Sequence, residues 1–94
     1  MAEQQFQAFV EAVEQAFDQA VEEGSDQQLF ISSYLSGHFS LVVANALNAK
    51  EHCLQSLNDK MQSSLAMAFA NKELEGGDQD QVRALWAQLF HQFA

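Results

Sequence analysis

The sequence contains no proline, only four glycines and a single cysteine. Without proline, only the glycines and polar capping residues can mark where helices end. One cysteine cannot form a disulfide within the chain. The N-terminal residues also lack the features of a secretory signal. An unpaired thiol in such a chain is typical of a reducing compartment. We therefore expect a cytoplasmic protein without disulfides.

Basic residues are also scarce, since four lysines and arginines stand against thirteen acidic residues and give a net charge of -9. An excess of negative charge repels phosphate backbones and anionic lipid headgroups. No run of about 18 uncharged apolar residues, the length that a membrane span requires, is present. The composition therefore predicts neither a nucleic-acid partner nor a membrane partner. Acidity mostly serves solubility and does not by itself name a partner.

The spacing of apolar residues predicts an all-α fold. The chain length suits a single domain, residues 1–94, and we predict a four-helix up-down-up-down bundle with helices at residues 2–23, 26–47, 49–71 and 79–93. Three of these helices have one apolar stripe: Phe6, Phe9, Val10, Val13, Phe17, Ala20 and Val21 in the first; Leu54, Leu57, Met61, Leu65, Ala68 and Phe69 in the third; Val82, Leu85, Trp86, Leu89, Phe90 and Phe93 in the fourth.

Capping residues predict where the helices meet. Gly24 suits the left-handed residue that ends a helix. A short polar residue followed three positions later by Glu or Gln predicts a helix start at three places: Ser25 with Gln28, Asn48 with Glu51, and Asp78 with Gln81. A continuous helix over residues 26–71 is the alternative to a break at Asn48. We prefer the break because so long a helix is rare in a small globular domain.

The second predicted helix has no charged residue after Asp26. Its apolar and polar residues predict two packed faces: a broad one of Phe30, Ile31, Tyr34, Leu35, His38, Leu41, Val42, Asn45 and Ala46, and a narrow one of Ser33, Ser36, Gly37, Ser40 and Ala44. Glycine inside a helix costs about 1 kcal/mol relative to alanine. Gly37 therefore predicts a close-packing position, at which another backbone passes near the helix.

Residues for metal or covalent chemistry do not cluster in the sequence. A di-iron bundle needs Glu-x-x-His pairs, and none occurs. His38, His52 and His91 fall on different predicted helices. Cys53 has no basic neighbour in sequence, so we interpret it as a packed thiol. The sequence thus predicts no metal, no cofactor and no identifiable catalytic residue.

One polar cluster remains on the second helix. Tyr34, His38 and Asn45 lie within about 40° of each other on the helical wheel, among apolar residues. In the first interpretation they form a buried hydrogen-bonded network that fixes the register of the helices. In the second they line a small pocket in which His38 transfers a proton and Tyr34 orients a ligand.

Four short sequence segments resemble a known family. Ser25-Asp26-Gln27-Gln28-Leu29-Phe30 and Tyr34-Leu35-Ser36-Gly37-His38, together with Leu85-Trp86 and Leu89-Phe90, are similar to the pattern of the YfcL-like family of small bacterial proteins. The resemblance implies a helical protein with a turn between its second and third helices. It also implies that Tyr34, Gly37 and His38 belong to a family pattern, and it transfers no catalytic residue.

Two classes of function fit these observations. The first is a small cytosolic protein-interaction or regulatory module, which binds a protein partner or associates with itself as a homodimer. Met67 and the surroundings of Phe39 are its expected exposed contacts. The second is a small-molecule-binding protein or enzyme with a pocket around Tyr34, His38 and Asn45.

Overall fold

The computed structural model describes residues 2–94, apart from the side chains of Ala2, Glu3 and Glu23. These residues form four helices and no β-strand: α1 (Ala2–Glu23), α2 (Asp26–Asn48), α3 (Leu54–Ala70) and α4 (Gly76–Phe93). Short connections place successive helices side by side, which confirms the up-down-up-down bundle. The most extensive packing is that of α2, which contacts each of the other three helices.

The centre of the core is aromatic. Trp86 of α4 is fully buried, and its ring centroid lies 6.1 Å from Phe9 of α1, 5.8 Å from Phe39 of α2 and 5.9 Å from Phe90. Tilted and edge-on contacts at such distances stabilise aromatic pairs by about 0.5–1.5 kcal/mol beyond their buried area. The cluster therefore fixes how α1, α2 and α4 are rotated against one another.

The third helix joins this cluster through a hydrogen bond. The indole N–H of Trp86 donates to Asn58 Oδ1 on α3 at 2.8 Å. A buried indole N–H without an acceptor would be costly. Helix α3 must therefore present a hydrogen-bond acceptor to the core, and Asn58 supplies it.

The apolar stripes predicted for three of the helices are largely confirmed. Leu57, Met61, Leu65, Ala68 and Phe69 of α3 are buried. So are the central positions of the stripes in α1 and α4, namely Phe6, Phe9, Val13, Phe17, Val82, Trp86 and Leu89. The exception is Val21, which the stripe of α1 included but which is 61% exposed near the helix end.

Of the three predicted capping boxes, only the first forms. Ser25 Oγ accepts from the Gln28 backbone N–H at 3.2 Å, and Gln28 Oε1 accepts from the Ser25 N–H at 2.9 Å. The second was wrong, because Asn48 is the last residue of α2 and Cys53 is the N-cap of α3. The third helix therefore spans residues 54–70, not 49–71.

The start of the fourth helix was also misplaced. Glu75 is the N-cap of α4, so the helix begins three residues before the predicted start at residue 79. The Glu75 side chain makes no capping hydrogen bond. The first turn therefore contains Gly76 and Gly77, which are poor helix formers that the sequence pattern assigns to a loop.

The ends of α2 and α3 use the same backbone motif. Lys50 and Lys72 have φ of 58° and 60°, in the left-handed region. After α2, the Lys50 N–H donates to Leu47 O at 3.0 Å and the Glu51 N–H to Ala46 O at 2.8 Å. The Lys72 and Glu73 N–H groups repeat these two bonds after α3. Both ends are thus Schellman motifs with lysine where glycine is usual.

The left-handed residue predicted at Gly24 is absent, since no glycine of residues 2–94 has a positive φ. Gly24 is needed there for a different reason. A Cβ at this position would lie 2.6 Å from the Ala20 carbonyl oxygen, which accepts a hydrogen bond from the Gly24 N–H at 2.9 Å.

We predict that glycine at either left-handed lysine stabilises the protein. A side chain at positive φ costs about 1–2 kcal/mol, part of which is offset by the extra freedom of glycine in the unfolded chain. Lys50→Gly and Lys72→Gly should each raise the free energy of unfolding by about 0.5–1 kcal/mol in urea denaturation. The same substitution inside a helix, Lys60→Gly, should lower it by about 1 kcal/mol. Equal signs for all three variants would contradict this account.

A second prediction concerns the acceptor of the Trp86 N–H. Asn58→Ala should lower the free energy of unfolding by about 1–3 kcal/mol, because the buried indole N–H loses its partner. Asn45→Ala is the matched control, since Asn45 is exposed and should change stability by less than about 0.5 kcal/mol. Thermal or urea denaturation measures both. A similar loss in the two variants would show that the bond does not matter.

Candidate functional site

Helix α2 buries only one of its faces. Its buried residues are Ile31, Ser32, Leu35, Phe39, Val42, Val43 and Ala46. The prediction of two packed faces was therefore wrong, and so was the expected exposure of Phe39. Helix α2 is rotated about its axis so that Phe39 packs against Trp86 and Phe9. Phe30 and Leu41, on the opposite side of the helix, therefore face solvent.

The opposite side, which we call the open face of α2, is exposed and uncharged. Its large side chains are Phe30 (45% exposed) and Leu41 (60% exposed), with Leu29 and Leu47 also exposed toward the two ends of the helix. Ser33, Gly37, Ser40 and Ala44 lie between them, and all four are exposed. No charged residue occurs from Gln27 to Asn48. This departs from an ordinary surface helix, whose solvent side carries charged and polar residues.

Gly37 lies in the middle of the open face. A Cβ built at this position meets no atom within 4 Å. The close-packing role predicted for Gly37 is therefore wrong within the described chain, since no neighbouring backbone approaches it. The space in front of Gly37 is solvent.

Tyr34 and His38 lie at one edge of the open face, where α2 meets α3. Their ring centroids are 4.8 Å apart. Tyr34 Oη donates to Glu73 Oε1 at 2.9 Å, and His38 Nδ1 forms a hydrogen bond with Ser64 Oγ at 2.8 Å. The structure brings these two residues together at a half-buried boundary and not in the core.

Asn45 does not join them. It is exposed, two turns further along α2, and lines a different part of the α2–α3 surface. The predicted three-residue cluster is therefore a pair of interhelical hydrogen bonds plus a separate surface amide. The partners Ser64 and Glu73 were not predicted, because they come from α3 and from the connection that follows it.

The local environment of Tyr34 changes its acidity. Burial raises the pKa of Tyr34 to about 12, and the hydrogen bond to Glu73 and the negative charge of that carboxylate act in the same direction. The Tyr34 ring also stacks near Phe69, at 6.4 Å between centroids, and Phe69 in turn lies under the Arg83 guanidinium. Tyr34 therefore ties α2 to α3 as a neutral phenol.

Within the described part of the chain, shallow grooves border α2. The groove between α2 and α3, of about 560 Å³, contains Leu41, Asn45 and Met67, of which Met67 is 69% exposed as predicted. A groove of about 400 Å³ between α1 and α2 has an apolar floor that includes Val43, with the acidic Glu11 and Glu14 among its lining residues. The third, about 690 Å³, is lined largely by glutamine amides, alanines and the buried Ser32.

The described residues hold no group of three or more His, Cys, Asp and Glu side chains that could bind a metal ion. Cys53 was predicted to be packed, but it is exposed at the start of α3. The adjacent His52 lies edge-on to the Phe6 ring, at 5.5 Å between centroids.

Comparison with known proteins gives the same family as the sequence pattern. The model of the YfcL protein family matches residues 7–91. The chain belongs to the YfcL family. One relative is the uncharacterized protein YfcL of Escherichia coli K12, which is 35% identical over 65 residues, or 69% of this chain and 71% of the relative. No solved structure matches the chain.

In this YfcL-family protein, α2 also has the length and mean hydropathy that a membrane span needs, and it is the one helix of residues 2–94 that does. Its apolar residues do not form an unbroken run, because serines and asparagines interrupt them. In the bundle, 39% of the most apolar stretch of α2 is buried. Helix α2 is therefore apolar along most of its length, although the bundle buries less than half of its most apolar stretch.

Tyr34 is the only tyrosine, so phenolate absorbance during an alkaline titration reports on it alone. We predict a midpoint near pH 12 in the native protein and near 10 in denaturant. The native state holds this proton more tightly than the unfolded chain. The free energy of unfolding should therefore fall as pH rises from about 10 through about 12.

Two variants separate the causes of this shift. Glu73→Gln removes the negative charge and should bring the midpoint back toward 10. Glu75→Gln, a neighbouring carboxylate without a hydrogen bond to Tyr34, should leave the midpoint where it is. A native midpoint near 10 would show that neither the burial of Tyr34 nor its contact with Glu73 acts on the phenol in solution.

Proposed function

We propose that this YfcL-family protein is a small cytosolic protein-interaction module whose contact surface is the open face of α2. One observation carries the proposal: an exposed helix side has no charged residue over 27–48, in a chain with a net charge of -9. Removing exposed apolar surface from water contributes about 25 cal/mol per Å², from which the cost of association is subtracted. Exposed apolar patches of this kind typically mark interaction sites.

The geometry of α2 supports a helix-recognition mode. The buried side of α2 is held by the aromatic core, so the open face is rigid before any partner arrives. The small residues Ser33 and Gly37 separate the large side chains of Phe30 and Leu41. The surface therefore has protruding side chains with depressions between them. Such a surface suits another helix lying along it.

A cytoplasmic location is part of the proposal, because an exposed and unpaired Cys53 suits a reducing compartment. The alternative, a small-molecule site at Tyr34, His38 and Asn45, has less support. Two of its three residues are engaged in hydrogen bonds between elements of the bundle, and the third lies apart from them.

The test introduces a charge on the open face. Leu41→Glu and Val21→Glu are a matched pair, since the two side chains are 60% and 61% exposed but belong to different helices, α2 and α1. Each variant and the wild type are immobilised, and the proteins they retain, including an added copy of the same chain, are compared. We expect wild type and Val21→Glu to retain a common partner that Leu41→Glu loses.

The folding of both variants is checked by thermal denaturation, in which neither should lose more than about 0.5 kcal/mol because both sites are exposed. Retention of the same partners by Leu41→Glu and wild type would refute the open face as the contact surface. So would retention of nothing by any of the three baits.

A further inference from the structure

The open face of α2 is self-complementary about its middle. Gly37 is equidistant from Asp26 and Asn48, the two ends of the helix. If two copies of α2 pack antiparallel across Gly37, residues at equal distances on either side face each other. Phe30 of one copy then meets Ala44 of the other, and Ser33 meets Leu41. Each large side chain is opposite a small one, as interdigitated helices require.

The position of these residues around the helix fits the same contact. Phe30, Gly37 and Ala44 are seven residues apart, so they lie on nearly one line along α2. Ser33 and Leu41 flank that line on either side. The axis itself falls on a residue without a side chain, whose front is empty within 4 Å. A glycine there lets two helix backbones approach closely.

Charge selects a second copy of this chain as the occupant. Two molecules that each carry a net charge of -9 repel one another unless they meet where carboxylates are absent. The open face is such a place, because residues 27–48 are uncharged. A strongly basic partner would instead be drawn to the acidic side of α1, where Glu11 and Glu14 border a groove.

The ends of α2 add a specific match. Asp26 is the first residue of the helix, Lys50 lies two residues after its last residue Asn48, and both are exposed. In the antiparallel arrangement, Asp26 of each copy lies opposite Asn48 of the other, two residues from Lys50, so opposite charges come near each other at both ends. A parallel arrangement would instead place Asp26 against Asp26 and Phe30 against Phe30. Both the charges and the side-chain sizes therefore favour the antiparallel arrangement.

We propose that this protein forms a symmetric homodimer in which two α2 helices pack antiparallel with the two-fold axis at Gly37. This inference rests on the proposed function, because it uses the same open face. A helix of 23 residues is about 34 Å long and about 10–12 Å wide, which offers roughly 400 Å² per copy. That area is below the roughly 800 Å² per partner of standard stable complexes, so the dimer is reversible and depends on concentration.

Disulfide cross-linking tests the register. In a Cys53→Ser background, single cysteines are introduced as Gly37→Cys, Ser33→Cys, Leu41→Cys and Val21→Cys, and the rate of disulfide-linked dimer formation is measured under mild oxidation. Only Gly37→Cys should cross-link to itself quickly, at least about tenfold faster than the Val21→Cys control. Two copies of residue 33 would be about 12 Å apart along the axis, beyond the reach of a disulfide.

A mixture of Ser33→Cys and Leu41→Cys proteins should give the mixed disulfide, because these residues face each other in the antiparallel register. Rapid self-linking of Ser33→Cys would indicate a parallel contact and overturn the proposal. Because Gly37→Cys adds a side chain at the axis, sedimentation equilibrium of the unaltered protein provides a second measurement. Its average mass should rise toward the dimer with concentration, and Leu41→Glu should stay monomeric.

Failure of the dimer and failure of the proposed function give different results. A monomer at all concentrations, with Gly37→Cys linking no faster than the control, overturns the dimer. The open face remains a contact surface in that case if Leu41→Glu still loses a different protein that Val21→Glu retains. If no such protein is found either, both proposals fail.

Discussion

The packing of the Trp86 indole against Phe9 and Phe39, with its N–H on Asn58, is the constraint on which the rest of the structure depends. One side chain of α4 thereby makes contact with each of the other helices. Because Phe39 must point inward to complete this cluster, the rotation of α2 about its own axis is fixed. The core therefore determines which residues of α2 face outward.

The two longer connections, between α2 and α3 and between α3 and α4, are stabilised in the same way. Each helix before them ends in a left-handed lysine followed by a glutamate, Lys50-Glu51 and Lys72-Glu73. Glu51 then binds Lys60 and Ser56 of α3, and its pKa is lowered chiefly by the hydrogen bond from Lys60. Glu73 accepts from Tyr34 on α2. In both connections the residue after the strained lysine is held against a helix, which offsets the conformational cost of the turn.

Much of the fold could be predicted from the sequence, and the failures have physical causes. The stripes of α1, α3 and α4 have a clear period because polar residues occupy their other sides. In α2, Phe30 and Leu41 are as apolar as Leu35 and Val42, so periodicity could not identify which side faces the core. The loop bounds were missed because the left-handed residues are lysines, which give no signal of a turn. The pairing of Tyr34 with His38 followed from helical spacing, but Ser64 and Glu73 are distant in sequence, and no local pattern points to them.

The burial of Trp86 has a practical consequence for spectroscopy. It is the only tryptophan and it is fully buried on the opposite side of α2 from the open face. Its fluorescence therefore follows the integrity of the core and should not change when a molecule covers α2. Unfolding and association can thus be followed independently in one sample, with the native indole reporting on the first and a probe on the exposed Cys53 thiol available for the second.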